Sequence, residues 1–93
     1  MSEGLRRFVV ERRVPEMSSE ELLDLHAAVE DATHRLTVDS SRVVCMRTLY
    51  LPSTKRWIAV FEADALDTVK RAARIAQLPP GDVREAIELA GGG

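Results

Sequence analysis

Three charged residues and one thiol provide the first candidate site in this sequence. Glu11, Arg47 and Glu62 are interpreted as neighbours on one face of a predicted sheet, with Cys45 beside them. Two carboxylates and an arginine in a partly dry cavity can bind a polar ligand or assist a proton transfer. The alternative is an ion pair that orients a dimer. A thiolate can act as a nucleophile or a soft-metal ligand, but a lone cysteine is also a common small core residue.

A second candidate site lies on the first predicted helix, where His26, Glu30 and His34 follow one another at intervals of four residues. Residues at this spacing are neighbours on a helix surface, so two or three of them could bind one metal ion. The alternative is a solvated polar flank, because the chain lacks the HExxH pattern of helical zinc sites.

Composition limits the classes of function. The chain has 93 residues, 45% hydrophobic and 30% charged, with a net charge of −2. This balance argues against a general nucleic-acid binder, which needs clustered positive charge. The short basic pairs Arg12-Arg13 and Lys55-Arg56 are interpreted as solvated strand ends and turns. A single cysteine, no apolar signal segment and no apolar run of membrane-spanning length lead us to expect a cytoplasmic protein with no membrane partner.

The hydrophobic pattern predicts the elements that must position these residues. Ser18 and Glu21 fit the capping box that begins a helix, and Asp64 is expected to cap the second helix. The second helix should end at Pro79-Pro80-Gly81. Strands are predicted at residues 5–14, 42–51, 56–62 and 82–89, and helices from Ser18 to about Leu36 and from Asp64 through Ala76. The last segment, 82–89, also contains good helix formers, so a helical alternative stays open there.

The order of elements predicts the fold class. Strand, helix, strand, strand, helix and strand is the split βαβ pattern of ferredoxin-like α+β folds, with a four-stranded antiparallel sheet. Both helices should cover the same face of that sheet. We expect one domain over residues 1–90 and a flexible glycine tail at 91–93.

The predicted strands are apolar on both faces, which implies a partner. Residues 57–61 and 43–46 are continuous apolar runs, although one face of such a sheet would be open to water. We therefore expect a homodimer of the dimeric α/β-barrel type, sheet against sheet; a different protein or a domain swap is the alternative. Alternation assigns one set to the helices: Phe8, Val10, Val44, Met46, Ala59 and Phe61. It assigns the other set to the open face: Val9, Glu11, Cys45, Arg47, Val60 and Glu62. A one-residue bulge in any strand would break this assignment.

Several short motifs resemble a known family. The chain has residues 8–12 as an opening strand, then 60–63, 68–73, 78–79 and 82–83 in the expected order. This pattern, which covers most of the chain, is similar to that of a family of small bacterial ferredoxin-like domains of unknown function. One branch of that family is described as nickel-binding, so the resemblance implies a dimer and a possible divalent metal such as nickel. Some members have histidines where this chain has Arg47 and Ala72. Any metal here would therefore need Cys45, the helix histidines or carboxylates, since arginine stays protonated.

Three functions follow from these observations. The first is a homodimeric binding protein with a cavity for a small ligand or metal ion, lined by Glu11, Cys45, Arg47 and Glu62. The second is a cofactor-free or haem-type enzyme, such as a monooxygenase or cyclase, by analogy with dimeric α/β barrels. In that case Glu11 or Glu62 would be the base and Arg47 the oxyanion partner. The third is a protein-interaction module that docks another chain on the open sheet face.

Overall fold

The chain folds into four strands and two helices in the predicted order. The computed structural model describes residues 5–14, 17–78, 81–87 and 89. The elements are β1 (Arg6–Arg13), α1 (Ser19–Val38), β2 (Val43–Leu51), β3 (Arg56–Ala63), α2 (Leu66–Ile75) and β4 (Asp82–Ala86). The predicted domain end at residue 90 and the glycine tail at 91–93 lie outside the described residues.

The strands form one antiparallel sheet in the order β2-β3-β1-β4. β1 therefore lies inside the sheet, between β3 and β4, and β2 and β4 form the two edges. This order and the βαββαβ connectivity confirm the predicted ferredoxin-like α+β fold.

The start of α1 is set by the capping box that the sequence predicts. The Ser18 hydroxyl accepts a hydrogen bond from the Glu21 amide at 3.1 Å, and the Glu21 carboxylate accepts one from the Ser18 amide at 2.8 Å. Two amide groups that have no partner within the helix are thereby satisfied. The helix continues to Val38, two residues past the predicted end at Leu36.

The start of α2 differs from the prediction, because Ala65 rather than Asp64 is its N-cap residue. Asp64 instead links three elements at the junction. Its carboxylate accepts hydrogen bonds from the Thr68 hydroxyl and from the Arg42 amide. The hydrogen bond from Thr68 is the main reason that the pKa of Asp64 lies below its usual value. The helix ends at Ile75, before the two prolines.

The last strand is shorter than the predicted segment 82–89. It ends at Ala86, which pairs with Arg7 near the first residue of β1. Only Arg6 of β1 lies beyond this pair, so β4 has almost no residue left with which to extend its backbone hydrogen bonds. Ile87 and Leu89, predicted to belong to the strand, are largely exposed.

The core lies between the helices and one face of the sheet. The side chains that are almost completely buried there include those of Phe8, Val10, Trp57, Phe61, Val29 and Val69. Removing each large side chain of this kind from water stabilises the fold by roughly 1.5–3 kcal/mol. In the part of the chain that the structure describes, neither helix has the length and hydropathy needed to cross a bilayer.

A bulge in β2 changes the predicted assignment of faces. Cys45 pairs with Phe61 and Arg47 pairs with Val60, so Met46 is an extra residue on β2. Val43 and Cys45 consequently face the helices, whereas Val44 lies on the opposite face. The prediction that Val44 and Met46 face the helices is therefore wrong, and both side chains are exposed. The other four residues assigned to the helix side are buried.

Candidate functional site

The sheet face that points away from both helices holds the candidate site, and we call it the bare face. Alternation along each strand, together with the register between strands, determines which residues it presents. They are Arg7, Val9, Glu11 and Arg13 on β1; Val44, Arg47, Leu49 and Leu51 on β2; Arg56, Ile58, Val60 and Glu62 on β3; and Asp82, Arg84 and Ala86 on β4, with Met46 in the bulge.

One half of the bare face is apolar and exposed. The exposed fractions are 50% for Val44, 43% for Met46, 50% for Leu49 and 41% for Leu51, all on the edge strand β2. Half-buried Val9, Ile58 and Val60 extend this apolar surface towards the middle of the sheet. Contiguous apolar surface of this kind on a small protein marks an interaction or binding site.

The other half of the bare face is a network of ion pairs centred on Glu11. Its Oε2 atom lies 2.6 Å from Nη1 of Arg56, and its Oε1 atom lies 3.5 Å from Nη2 of Arg84. The same Nη2 atom of Arg84 lies 3.4 Å from Oδ2 of Asp82. The side chain of Glu11 is 25% exposed, less than those of its partners. Glu11 is thus held in place by cations on both neighbouring strands.

Glu62 and Arg47 occupy adjacent rows of the bare face. Glu62 Oε2 lies 3.4 Å from Arg7 Nε, in an ion pair across β1 and β3. Arg47 is paired with Val60, which is paired on its other side with Val9. Glu62 is two residues from Val60 on β3, and Glu11 is two residues from Val9 on β1, in the opposite direction along the strands. The side chain of Arg47 is exposed, and none of the ion pairs among the described residues includes it. The structure therefore places Glu11, Arg47 and Glu62 on one face, as predicted.

Cys45 does not join this group, because the Met46 bulge places it on the helix-facing side of β2. The predicted position of Cys45 on the open face is therefore wrong. Burial raises the pKa of the thiol to about 11, and the nearby Glu30 carboxylate adds to this effect; a weak bond to the Arg47 carbonyl at 3.9 Å opposes it. At neutral pH the thiol is protonated, which makes it a poor nucleophile and a poor metal ligand.

The residues of the predicted helix metal site are only partly brought together. His26 Nε2 lies 3.5 Å from Glu30 Oε2, and His26 Nδ1 lies 3.2 Å from the Thr48 hydroxyl. His34 is exposed two steps further along the helix, and each step of four residues rotates about 40° around the axis. No group of three or more metal-binding side chains was found in the described ranges 5–14, 17–78, 81–87 and 89.

Comparisons with protein-family models, with curated proteins and with solved structures found no match. The resemblance to the family with a nickel-binding branch therefore stays a prediction.

Two features of the structure were missed by sequence reasoning. Arg56 and Arg84 hold Glu11. The signal for Arg56 was its even spacing from Glu62, which places both residues on the same face of β3. Arg12 was interpreted as a solvated strand end, but it is only 5% exposed and faces the helix side. The two-residue period could have separated it from Arg13, since Phe8, Val10 and Arg12 share one face.

Proposed function

We propose that this chain is a small binding protein that forms a homodimer through the bare face and holds a small, negatively charged organic ligand between the two sheets. The observation that carries the proposal is the exposed apolar surface of β2 next to a charged cluster on the same face. Facing sheets pack about 10 Å apart, so side chains from two copies can fill most of the space between them.

A second copy is the partner that fits this face. In a twofold arrangement the same surface is used twice, so the apolar residues of one copy can cover those of the other. The chain is small and buries a modest core, which makes additional apolar burial valuable. The ion pairs around Glu11 would then form the polar rim.

Arg47 is the residue that we expect to bind the ligand. It is exposed, it lies beside the apolar surface, and no described carboxylate pairs with it. Over the four strands the bare face carries five arginines against three acidic residues, although the chain as a whole has a net charge of −2. This local excess of positive charge favours a carboxylate or a similar anion, which an arginine can bind with two parallel hydrogen bonds.

Native mass spectrometry of the untagged protein tests both parts of the proposal. We expect a dimer that carries a stoichiometric organic adduct, and we expect Arg47→Ala to lower the fraction of dimers that carry it. A dimer without adduct would contradict the ligand part. A monomer would contradict the dimer part and favour the protein-interaction alternative.

A matched pair of valine variants tests the position of the interface. Val44 is 50% exposed on the bare face, and Val38 is 71% exposed at the end of α1, away from it. Val44→Lys places a charge in the proposed interface and should weaken the dimer at least about tenfold, which corresponds to roughly 1.4 kcal/mol. Val38→Lys should leave dimerisation unchanged. Equal effects of the two substitutions would rule out the bare face as the interface.

A further inference from the structure

A cavity lies on the helix side of the sheet, between α2 and β4. Its volume is about 490 Å³, within the usual range for small-molecule sites. Three cationic residues, Arg12, Lys70 and Arg74, and three apolar residues, Ala73, Leu78 and Val83, form most of its walls. Of its lining residues only Asp82 was assigned to the bare face, so the cavity is distinct from the surface of the dimer proposed above.

Arg12 gives this cavity a fixed positive group. The residue is only 5% exposed, and its Nη1 atom donates to the carbonyl oxygens of Glu11 and Asp82, each at 3.1 Å. Burial lowers the pKa of Arg12, whereas the Asp82 carboxylate raises it. An arginine held in this way has already lost most of its side-chain entropy, so an anion can bind it at a low conformational cost.

Gly81 makes room for the buried arginine. A Cβ atom at this position would lie 2.5 Å from Arg12 Cδ, 2.6 Å from Arg12 Nη1 and 2.8 Å from the Glu11 carbonyl oxygen. The backbone carbonyl cannot move aside easily. Only glycine therefore allows the chain to pass over Arg12 and close this side of the cavity.

The charges of the cavity select for an anion. Three positive charges face one acidic residue, Asp82, whose carboxylate also lies 3.4 Å from Nη2 of Arg84 on the bare face. A phosphate monoester carries about −1.5 to −2 charges at neutral pH and three acceptor oxygens, which matches three cationic donors better than a carboxylate does.

We infer that the cavity between α2 and β4 binds a small organic phosphate monoester. Arg12, Lys70 and Arg74 contact the phosphate group, and the organic part packs on Ala73, Leu78 and Val83. A bare phosphate ion fills only a fraction of the available volume and leaves the apolar wall exposed to water. The organic part therefore adds affinity by covering that wall.

A titration of the 93-residue protein with phenyl phosphate tests this inference. Binding is followed by the NMR shifts of the Gly81 and Val83 amides at constant ionic strength, with inorganic phosphate as a second probe. We expect saturable shifts at these amides and an affinity for phenyl phosphate about tenfold or more above that for inorganic phosphate. Equal affinities would overturn the assignment of an organic ligand, and shifts confined to the bare face would overturn the site.

Two double variants with the same change in net charge provide the control. Lys70→Ala/Arg74→Ala removes two cations from the cavity, and Arg35→Ala/Arg42→Ala removes two exposed cations elsewhere. Alanine is well tolerated on α2, so the first variant should fold. We expect it to bind phenyl phosphate at least about tenfold more weakly, with the second variant close to wild type. An equal loss in both variants would show a general charge effect and overturn the inference.

Discussion

The thiol of Cys45 faces the helix side of β2, near the carboxylate of Glu30. Burial and the negative charge of Glu30 both favour its protonated form. Burial is the larger cause of its raised pKa, and the negative charge of Glu30 is the second. The effect on stability has a definite sign. A cysteine whose pKa rises from 9.0 to about 11 on folding favours the folded state below pH 9, and this contribution is lost as the pH rises towards 11.

The reactivity of Cys45 should follow this pKa. The thiolate is the reactive form, so a pKa raised from 9.0 to about 11 predicts alkylation by iodoacetamide at pH 8 about 100-fold slower in the folded than in the unfolded protein. Glu30→Gln removes one cause and should lower the pKa, which a pH–rate profile measures. Asp31→Asn is the matched control and should leave the profile unchanged. A folded protein that reacts as fast as the unfolded chain would contradict the assignment.

At the scale of the element, the bulge in β2 decides which face each side chain occupies. Before Met46 the strand presents Val43 and Cys45 to the helices, and after it Thr48 and Tyr50. Cys45 and Thr48 are three residues apart, so a regular strand without a bulge would place these two pairs on opposite faces. The bulge thus places Arg47 on the bare face while it keeps Cys45 off that face.

Deletion of Met46 tests this geometry. A strand without the extra residue alternates regularly, and every other residue of β2 keeps its present face. We expect the deletion variant to fold with a free energy of unfolding within about 1.5 kcal/mol of wild type, as measured by urea denaturation. Deletion of Leu49 is the control. It must move either Arg47 to the helix side or Tyr50 to the bare face, and we expect it to be far less stable. Similar losses in both variants would contradict the bulge.

Some elements could be predicted from the sequence because their signals are local. The capping box of Ser18 and Glu21 indicated the start of α1, and the prolines at 79–80 indicated that α2 ends before them. Both signals come from residues close to the helix end in sequence. The predicted cap at Asp64 was wrong, since Ala65 is the N-cap residue; the Asp64 carboxylate binds the Thr68 hydroxyl and also the Arg42 amide, which is distant in sequence.

The parts of the site that sequence missed depend on contacts between distant segments. Val43 to Met46 are apolar at every position, so a period of two could not determine which of them face the core. Glu11 and Glu62 were placed correctly because β1 and β3 contain no bulge in their pairing, so a count in twos along each strand assigns every residue to its face. The two-residue period indicates the face of Arg12, but the groups that make its burial possible include the Asp82 carbonyl and Gly81, which are distant in sequence.

At the scale of the whole molecule, the proposed dimer couples association to folding. A second copy that binds only the folded chain stabilises it by mass action, so thermal stability must rise with protein concentration. The bare face is therefore expected to matter for stability as well as for ligand binding.

Thermal unfolding at different protein concentrations measures this coupling. Over a hundredfold range we expect the midpoint of the wild-type protein to rise steadily with concentration, because unfolding also separates the two chains. The Val44→Lys variant should have a lower midpoint that changes little with concentration, and Val38→Lys should behave as wild type. A wild-type midpoint that does not depend on concentration would contradict an association linked to folding.

The strand order also has a consequence for folding during synthesis of the protein. β1 is made first, yet its two neighbours in the sheet, β3 and β4, come from the second half of the chain. Contacts between such distant segments slow folding, since a long loop must close before any of them forms. During synthesis, the apolar centre of β1 must therefore wait for its first sheet partner until β3 has been made, and for its second until β4 has been made. During this interval, rather than in the finished fold, the unpaired strand is most exposed to contacts that lead to aggregation.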